Sequence, residues 1–407
     1  MRQGWKEIEL SYFVNDFIVP QRDKPKKFDG DIPWCRIEDF NGVYLSDSKS
    51  NQNVSEKTIR EMGLKVFPIN TVIVSCSADL GKCAIIQKPL VTNQTFIGLV
   101  PSENLDSKFL YFYMMSIAKK LNEMASGATI KYLSKKKFRE LVVCFPPLPE
   151  QQRIVSILDQ AFAAIDQAKA LAEKSLQTAR ELFESYLQGV FEKKGEGWEE
   201  KKLGEVASTN GRIGWKGLTA KEYTSQGPLF LSVHSLNYGD YVDFRDAFHI
   251  SQERYMESPE IMLKKDDILI CKDGAGIGKL GIVPDLPGLV TINSSLLLIR
   301  CKSQLRTKFL YYNLLSPNFQ RIVYSRLSGA TTPHLYQRDI VTFPISVPPI
   351  MEQDNIVRKL DFLRIETQKL EAVYKKKIDD LEELRKSLLQ KAFSGELKTE
   401  SISVPVS

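Results

Sequence analysis

The feature that most constrains this chain is an internal repeat. The segment PPLPEQQRIV at 146–155 aligns with PPIMEQDNIV at 348–357 at an offset of 202 residues. The same offset aligns SGAT at 126–129 with SGAT at 328–331, and weaker matches keep the same order along the 407-residue chain. A unit of this length is longer than a solenoid repeat, so each copy is expected to contain a domain and an additional element.

A hydrophobic period predicts that the additional element of each copy is a long helix. Apolar residues recur in alternating steps of four and three, which is typical of helices that pack on each other. The first seam is rich in Ala and the second carries larger Leu and Tyr, so we expect the two helices to pair. The alternative is that each helix lies on its own domain. The predicted seams are Ile154, Leu158, Ala161, Ile165, Ala168, Ala172, Ser175, Ala179, Leu182 and Tyr186, and Ile356, Leu360, Leu363, Thr367, Leu370, Tyr374, Lys377, Leu381, Leu384 and Leu388.

The residues before each helix follow a different pattern. Short strand-like runs alternate with turn clusters of Gly, Pro, Asn and Asp, and short helices are predicted near 107–122 and 307–323. The predicted fold class is therefore α/β (α+β), with two mixed α/β domains joined by two long helices in a tandem-duplicated chain. The predicted boundaries are 1–147 and 196–349 for the domains, 148–195 and 350–398 for the helices, and 399–407 for a tail.

Composition argues against several classes of protein. The longest near-unbroken apolar run, Phe109 to Met115, is far shorter than a membrane-spanning helix, and charges within the first twenty residues argue against a signal peptide. Six cysteines without a CxxC pair and three scattered histidines predict neither a disulfide framework nor a metal site. This cysteine usage fits a reducing cytoplasm.

The net charge of +6 is unevenly distributed. Residues 1–149 carry +5 and residues 195–351 carry +2, whereas the helical segments 150–194 and 352–398 carry −1 and +1. This distribution favours domains that meet phosphate and helices that meet protein. A basic cluster at 131–139 includes aromatic residues and could bind a nucleic-acid backbone, although a run of charges is more often an ordinary exposed surface.

One glycine-rich segment bears on catalysis. GIGKLG at 276–281 matches GxGxxG, but Pro284 and Pro287 follow where a dinucleotide site needs a helix. We interpret the segment as a loop between strands, whose glycines would allow close approach to phosphate. The sequence has no Asp/Asn-Pro-Pro-aromatic box, HExxH or GxSxG motif, so we expect the chain to catalyse nothing alone.

These features together resemble the specificity subunits of type I restriction–modification systems. The resemblance covers essentially the whole chain and is carried by GDIPWCRIEDF at 30–40, the glycine-rich loop ending at Lys279, SGAT twice, and FPPLPEQQRI with its copy VPPIMEQDNI. It implies that each domain is a target-recognition domain reading one half of a split double-stranded DNA target. It also implies that the two helices form an antiparallel coiled coil that fixes the spacer between the half-sites.

The resemblance implies partners as well. Two methyltransferase subunits, which bind S-adenosylmethionine and methylate adenine, would dock on the helices. Two restriction subunits with ATP- and Mg-dependent translocase and nuclease activity could join them. The chain itself would hold no cofactor and no metal, would have no membrane partner and would work in the cytoplasm.

The same resemblance implies DNA contacts from loops in both domains. Lys82 and Lys279 would contact phosphate, and the other loop residues bases or sugar. The polar residues that open the helices are structural or face a methyltransferase, and a Glu there also interacts favourably with the helix dipole. The implied DNA-contact residues are Ser77, Lys82, Ser126, Gly127, Thr129, Lys131, Tyr132, Lys272, Gly274, Lys279, Ser328, Gly329, Thr331 and His334. The junction residues are Glu150, Gln151, Glu352 and Gln353.

Two other functions are weighed against DNA recognition. The first is a coiled-coil structural scaffold without a nucleic-acid partner. The second is a stand-alone enzyme that uses the glycine-rich loop, against which the following prolines argue.

Overall fold

The chain divides into two compact units, one of residues 1–172 and 376–407 and the other of residues 173–375. Each long helix therefore contributes one half to each unit. The fold comes from a computed structural model, which describes residues 5–20, 24–77, 79–125, 132–193, 195–211, 218–327 and 334–397.

The first unit contains a domain of short strands and helices and the beginning of the first long helix. Its strands are β1 (Lys6–Glu9), β2 (Val14–Ile18), β3 (Ile32–Cys35), β4 (Tyr44–Leu45), β5 (Asn53–Val54), β6 (Val72–Ser75), β7 (Cys83–Ile86), β8 (Val91–Thr92), β9 (Phe96–Pro101) and β10 (Val142–Phe145). Its helices are α1 (Glu56–Met62), α2 (Ser107–Ser116), α3 (Ala118–Met124), α4 (Lys135–Arg139) and the first part of α5 (Leu148–Glu192).

Alternate residues of the central strands build two cores in the first unit. The main sheet has the order β2-β9-β6-β7-β4, beside the smaller sheets β5-β3-β8 and β1-β10. On β6, Val72 and Val74 join the core under α2, whereas Ile73 between them joins the core on the opposite face. Since successive strand residues point to opposite faces, β6 must be apolar throughout, as its sequence VIVS nearly is.

The second unit repeats this plan. Its strands are β11 (Glu199–Lys202), β12 (Ala207–Gly211), β13 (Thr224–Leu231), β14 (Phe248–His249), β15 (Ile268–Cys271), β16 (Leu280–Ile282), β17 (Val290–Ile292), β18 (Leu296–Cys301) and β19 (Pro344–Val347). Its helices are α6 (Leu203–Val206), α7 (Gln252–Met256), α8 (Thr307–Leu315), α9 (Pro317–Leu327), α10 (Gln337–Val341) and the first part of α11 (Ile350–Ser394).

The sheets of the two units correspond strand by strand. The order β12-β18-β15-β16 matches β2-β9-β6-β7, and β13 pairs with β17 in parallel as β3 pairs with β8. The terminal pair β11-β19 matches β1-β10. The predicted fold class, two mixed α/β domains with two long helices, is confirmed.

The two long helices run antiparallel wherever they meet within a unit. In the first unit, Lys169 pairs with Glu382 and Arg385 with Asp166, both at 2.6 Å. In the second unit, Arg180 lies 3.3 Å from Glu371. As the residue number rises on α5 it falls on α11, which confirms the predicted helix pairing.

The predicted seam is wrong at several positions, including the end of the α5 seam. Leu182, Tyr186, Leu370 and Leu384 are exposed, and the buried stripe of α5 passes from Ala179 to residues one position further on. A straight α-helix drifts by about 20° per heptad relative to a strict 3.5-residue repeat, so a constant register leaves the buried face after several turns. In these parts of the helices the buried residues are instead Phe183, Leu187, Phe191, Leu389 and Ala392.

Candidate nucleic-acid interface

In the second unit, the candidate site is the loop that joins β15 to β16. The amides of Cys271 and Gly278 bond across it to the carbonyls of Lys279 and Cys271, both at 2.8 Å. Gly278 has φ +83°, and a Cβ there would lie 2.7 Å from the side chain of Val323. The tight turn therefore needs glycine, and it places Lys279 in solvent at the end of the sheet.

In the first unit, the equivalent loop joins β6 to β7. The amides of Ser75 and Gly81 bond to the carbonyls of Lys82 and Ser75 at 2.8 and 3.2 Å, and Ser75 Oγ donates to the carbonyl of Ser77 at 2.5 Å. Lys82 is exposed at the same place on the sheet as Lys279. The bonding pattern is shared, although the loop of the second unit is one residue longer.

A short 3₁₀ helix beside each loop holds the lysine. In the second unit, Lys279 Nζ donates to Asn237 Oδ1 at 2.6 Å, directly after the 3₁₀ helix at Val233–Leu236. In the first unit, Lys82 Nζ lies 3.4 Å from the carbonyl oxygen of Ile37, in the 3₁₀ helix at Ile37–Asp39. The two lysines are thus oriented by equivalent elements.

A segment that precedes α4 in the first unit and α10 in the second lies against each loop and completes the site. We call it the returning segment (132–133 and 334–335). In the second unit, Leu335 N donates to the carbonyl of Lys272 at 2.8 Å, and His334 Nδ1 contacts a carboxylate oxygen of Asp273, next to Gly274. The structure thus brings together Lys272, Gly274, Lys279 and His334. The His334 ring also packs edge-on against Tyr336, with centroids 4.5 Å apart.

In the first unit, the returning segment ends in the same place. Leu133 N donates to the carbonyl of Cys76 at 2.9 Å, and Tyr132 beside it is 40% exposed. The structure therefore places Ser77, Lys82 and Tyr132 at one strand end, as their counterparts are in the second unit. The predicted contacts Ser126, Gly127, Thr129, Lys131, Ser328, Gly329 and Thr331 lie outside the described residues.

The basic cluster predicted beside Tyr132 is largely engaged within the protein. It forms α4, where Lys136 lies 3.7 Å from Glu140 and Lys137 Nζ donates to the carbonyl of Met124. Lys135 reaches Asp16 at 4.0 Å, and Arg139 packs over an aromatic ring. These contacts favour the interpretation of an ordinary exposed helix.

The two junction glutamines are buried and make the same three hydrogen bonds. Gln151 Oε1 accepts from Asp106 N at 2.9 Å, and its Nε2 donates to the carbonyls of Asn104 and Pro146 at 3.0 and 2.9 Å. Gln353 bonds to the amide of Arg306 and to two carbonyls in the same pattern. Both side chains are fully buried, so they tie each helix to its domain.

The junction glutamates lie at the surface of the same helix starts. The Glu150 side chain is 19% exposed and lies 3.6 Å from Arg153. Glu352 accepts a hydrogen bond from Trp198 Nε1 at 2.9 Å. The glutamates therefore help to fix the helix entry rather than forming a separate cluster of acidic groups.

The described residues near the loops do not supply nucleophilic thiols. Burial raises the pKa of Cys76 to about 11, and burial is also the largest influence on Cys271, whose pKa is raised. Both thiols are therefore protonated near neutral pH. Within the described ranges, no three His, Cys, Asp or Glu side chains are grouped to hold a metal ion, and no helix is long and apolar enough to cross a membrane.

Sequence reasoning missed an exposed aromatic–arginine pair close to the second loop. The guanidinium of Arg245 lies 4.2 Å from the ring centroid of Tyr238, and Asp243 holds Arg245 by two hydrogen bonds. Tyr238 follows Asn237, the partner of Lys279. The signal was the interleaving of aromatic and charged residues in SLNYGDYVDFRD at 235–246, which periodicity does not detect.

The chain is similar along most of its length to type I restriction enzyme specificity subunits. The chain is 27% identical over 400 residues to the type I restriction enzyme MjaIX specificity subunit of Methanocaldococcus jannaschii, covering 92% of this chain and 88% of the relative. It is 24% identical to the type I restriction enzyme EcoBI specificity subunit of Escherichia coli, covering 98% and 87%.

A solved structure shows the same fold. A chain from a study of complex assembly and conformational transition of the type I restriction–modification system superimposes with a TM-score of 0.79 at 20% identity, covering 98% of this chain and 99% of that one. The family model described as type I restriction modification DNA specificity domain matches residues 5–174 and again 195–379, one match for each copy of the repeat. Since the two matches cover most of the sequence, the chain belongs to the type I restriction–modification DNA specificity family.

Proposed function

We propose that this protein is the DNA-recognition subunit of a type I restriction–modification complex. It reads a bipartite target in double-stranded DNA and positions methyltransferase and restriction subunits for adenine methylation and DNA cleavage. The observation that carries the proposal is the repeated loop geometry, in which equivalent elements orient Lys82 and Lys279 at the same strand end of each unit. The chain supplies recognition, and the partner subunits supply the catalytic groups and their cofactors.

The chemistry of the loops suits a division between holding DNA and reading it. An exposed lysine contacts phosphate without regard to sequence, so it can be the same in both units. The residues beside it read base edges and must differ if two unlike half-sites are recognised. Tyr132 in one unit and His334 in the other stand at equivalent positions of the returning segment and differ in their hydrogen-bonding groups.

We assign the recognition domains to 1–147 and 196–349, and the roles within them follow from position. Lys82 and Lys279 contact phosphate. To the remaining residues of the loops and returning segments we assign contacts with bases or sugar: Ser77, Ser126, Gly127, Thr129, Lys131, Tyr132, Lys272, Gly274, Ser328, Gly329, Thr331 and His334.

The long helices offer the methyltransferase subunits an apolar surface. In the second unit, Phe362 and Val373 of α11 are 64% and 60% exposed and lie eleven residues apart, which keeps them on one helix face. Leu182 of α5 is 63% exposed in the same unit. In the first unit, Leu171 is exposed at the repeat equivalent of Val373, and Leu384 is exposed at the repeat equivalent of Leu182. Exposed apolar residues in such number on paired helices favour a protein partner.

A domain exchange tests the proposal. Residues 1–145 are replaced by the corresponding domain of a relative with another specificity, and methylated adenines are mapped in DNA from cells that also contain the partner subunits. We expect one half of the methylated motif to change and the other half to persist. An unchanged motif would contradict DNA recognition by the first domain, and DNA methylation that does not depend on this chain would favour the scaffold function.

A further inference from the structure

Two of the ion pairs between the long helices lie at repeat-equivalent positions and have the same polarity. In the first unit, Lys169 of α5 pairs with Glu382 of α11 at 2.6 Å, and in the second, Arg180 of α5 pairs with Glu371 of α11 at 3.3 Å. In these two pairs the cation is on α5 and the carboxylate on α11. The remaining pair of the first unit, Arg385–Asp166, has the opposite polarity, and its repeat-equivalent positions hold the uncharged Phe183 and Gln368. The hydrogen bond from Lys169 holds the pKa of Glu382 below its usual value, so this pair is charged at neutral pH.

The aromatic contacts between the helices have a consistent polarity too. In the first unit, the guanidinium of Arg385 lies 4.5 Å from the ring centroid of Phe162. In the second unit, the guanidinium of Arg364 lies 5.0 Å from that of Phe183. In both units α5 supplies the ring and α11 the arginine.

The repeat makes these contacts informative about pairing. With the offset of 202 residues, Lys169 corresponds to Glu371 and Arg180 to Glu382, while Phe162 corresponds to Arg364 and Phe183 to Arg385. The two helices descend from one element, so each could in principle take the place of the other. The residues at the four contact positions have nevertheless become complementary between the helices.

Pairing of like with like would bring equal charges together. If α5 paired with α5 of a second copy in the same register, Lys169 would face Arg180. If α11 paired with α11, Glu371 would face Glu382 and Arg364 would face Arg385. Every one of these like-charge contacts is replaced by an ion pair or a cation–π contact when α5 pairs with α11.

Side-chain size points the same way. Ala172 and Ala179 are buried on α5, whereas the repeat-equivalent residues of α11 are Tyr374 and Leu381. Two α5 helices would leave a gap at these positions, and two α11 helices would be crowded. A small side chain opposite a large one fills the space at native density.

We propose that α5 and α11 select each other and reject a second copy of themselves. The partner that each half of the chain fits is therefore the other half, and two copies of this protein do not assemble by matching identical helices. An exposed ion pair adds little to stability, but partner choice depends on the difference between attraction and repulsion at the same position, which is how flanking charges set pairing in coiled coils. This inference does not depend on DNA recognition.

The test compares variants that keep every ion pair within the chain. Arg180→Glu with Glu371→Lys inverts one pair, so that Lys169 would now face a carboxylate in an α5–α5 pair. Lys169→Glu with Glu382→Lys inverts the other pair and serves as an independent second variant. The matched control combines all four substitutions, which restores like charges in both homotypic pairs.

The readout uses the full-length protein, cut after folding. A protease site is inserted between Glu196 and Gly197, the folded protein is cleaved, and the halves exchange in mild urea before the urea is removed. Native mass spectrometry then counts pairs of first halves, pairs of second halves and mixed pairs. We expect mixed pairs from the parent and the fourfold variant, and about a tenfold rise in pairs of first halves from either twofold variant.

Each other outcome contradicts the proposal. Homotypic pairs from the parent at the level of the twofold variants would show that the charges do not select. Homotypic pairs from the fourfold variant at that level would show that substitution alone, and not polarity, causes them. Mixed pairs alone from both twofold variants, or halves that never pair again, would show that these contacts do not decide the partner.

Discussion

The contacts that attach each long helix to its domain are nearly the same in the two units, whereas the side chains of the candidate DNA loops differ. At the attachment, Gln151 and Gln353 make the same three hydrogen bonds, and Lys108–Asp159 at 2.6 Å is matched by Lys308–Asp361 at 2.7 Å. These contacts join a domain to a helix, and duplication has left them almost unchanged.

At the loops, the backbone pattern is shared but the side chains differ. The first unit has the sequence SADLGK at 77–82, whereas the second has DGAGIGK at 273–279, with His334 in contact with Asp273. A loop whose frame is fixed and whose side chains vary can present different hydrogen-bonding groups from the same position. This contrast is the one expected if, as we propose, the attachment serves assembly and the loops serve specificity.

The strongest departure between the two units inside the main sheet is an ion pair of the second unit. Arg300 on β18 bonds to both carboxylate oxygens of Asp267 at 2.7 Å, and Asp267 is only 1% exposed. The first unit has Val100 at the equivalent position of β9. Arg300→Leu would leave the buried carboxylate without its counter-ion, bonded only to the amide of Lys264, so we expect it to destabilise the second unit by about 3 kcal/mol.

Hydrogen exchange of β15 and β18, compared with β6 and β9, measures this effect separately in each unit. The control is Lys265→Leu, which removes the exposed pair with Asp285 and should change little. Equal effects of the two substitutions would show that burial of Asp267 does not matter.

The glutamines test the shared attachment. Gln151→Leu and Gln353→Leu each leave one amide and two carbonyls without their partner, so we expect each to lower the free energy of unfolding of its unit by about 2–4 kcal/mol. Urea unfolding with hydrogen exchange measures both, and Gln160→Leu at an exposed site of α5 is the control. A large effect in only one unit would show that the two attachments are not equivalent.

One carboxylate of the second unit, Asp240, is expected to make the stability of that unit depend on pH. Burial alone would raise the pKa of Asp240, but hydrogen bonds and charge from Arg364, with a hydrogen bond from Tyr311, leave it below its usual value of 3.8. A lowered pKa in the folded state means that the ionised group stabilises the second unit above its usual pKa, and that this contribution is lost as the pH falls through the lowered value. We therefore expect the difference in stability between the parent and Asp240→Asn to be full at pH 7 and to shrink below pH 3.8.

Thermal unfolding across this pH range provides the measurement. A difference between parent and variant that stays constant down to pH 2 would show that folding does not lower the pKa of Asp240.

The lysines test the shared part of the loops, with the smallest expected effect. Lys82→Ala and Lys279→Ala should each weaken DNA binding by the assembled complex and reduce the slope of log affinity against log salt by about 0.9, without changing the target sequence. Fluorescence anisotropy at several salt concentrations measures the slope, with Lys57→Ala in α1 as the control. A changed target preference would show that these lysines read bases.

Much of this fold was predictable because the duplication is visible as an internal repeat in the sequence. The repeat, the heptad steps and the short strand-like runs predicted two mixed domains and two paired helices. The later seam was not predictable from a fixed register, since the drift of a straight helix decides whether Leu182 or Phe183 is buried.

The candidate site was predictable in position but not in its supporting contacts. The family resemblance implied Lys82 and Lys279, and each lysine directly precedes a strand, β7 and β16. Asn237 and Arg245 were missed because they come from a distant segment that folds back beside the second loop. Contacts over such separations depend on the packing of the sheet, which local patterns do not record.

The most direct test of the central claim is long-read mapping of methylated adenines in cells that contain this protein and its partner subunits. If each unit reads one half-site, the methylated motif will consist of two short unlike sequences separated by a spacer of fixed length and free sequence, and deletion of this chain will abolish it. A single continuous motif, or a motif that persists without the chain, would contradict the account.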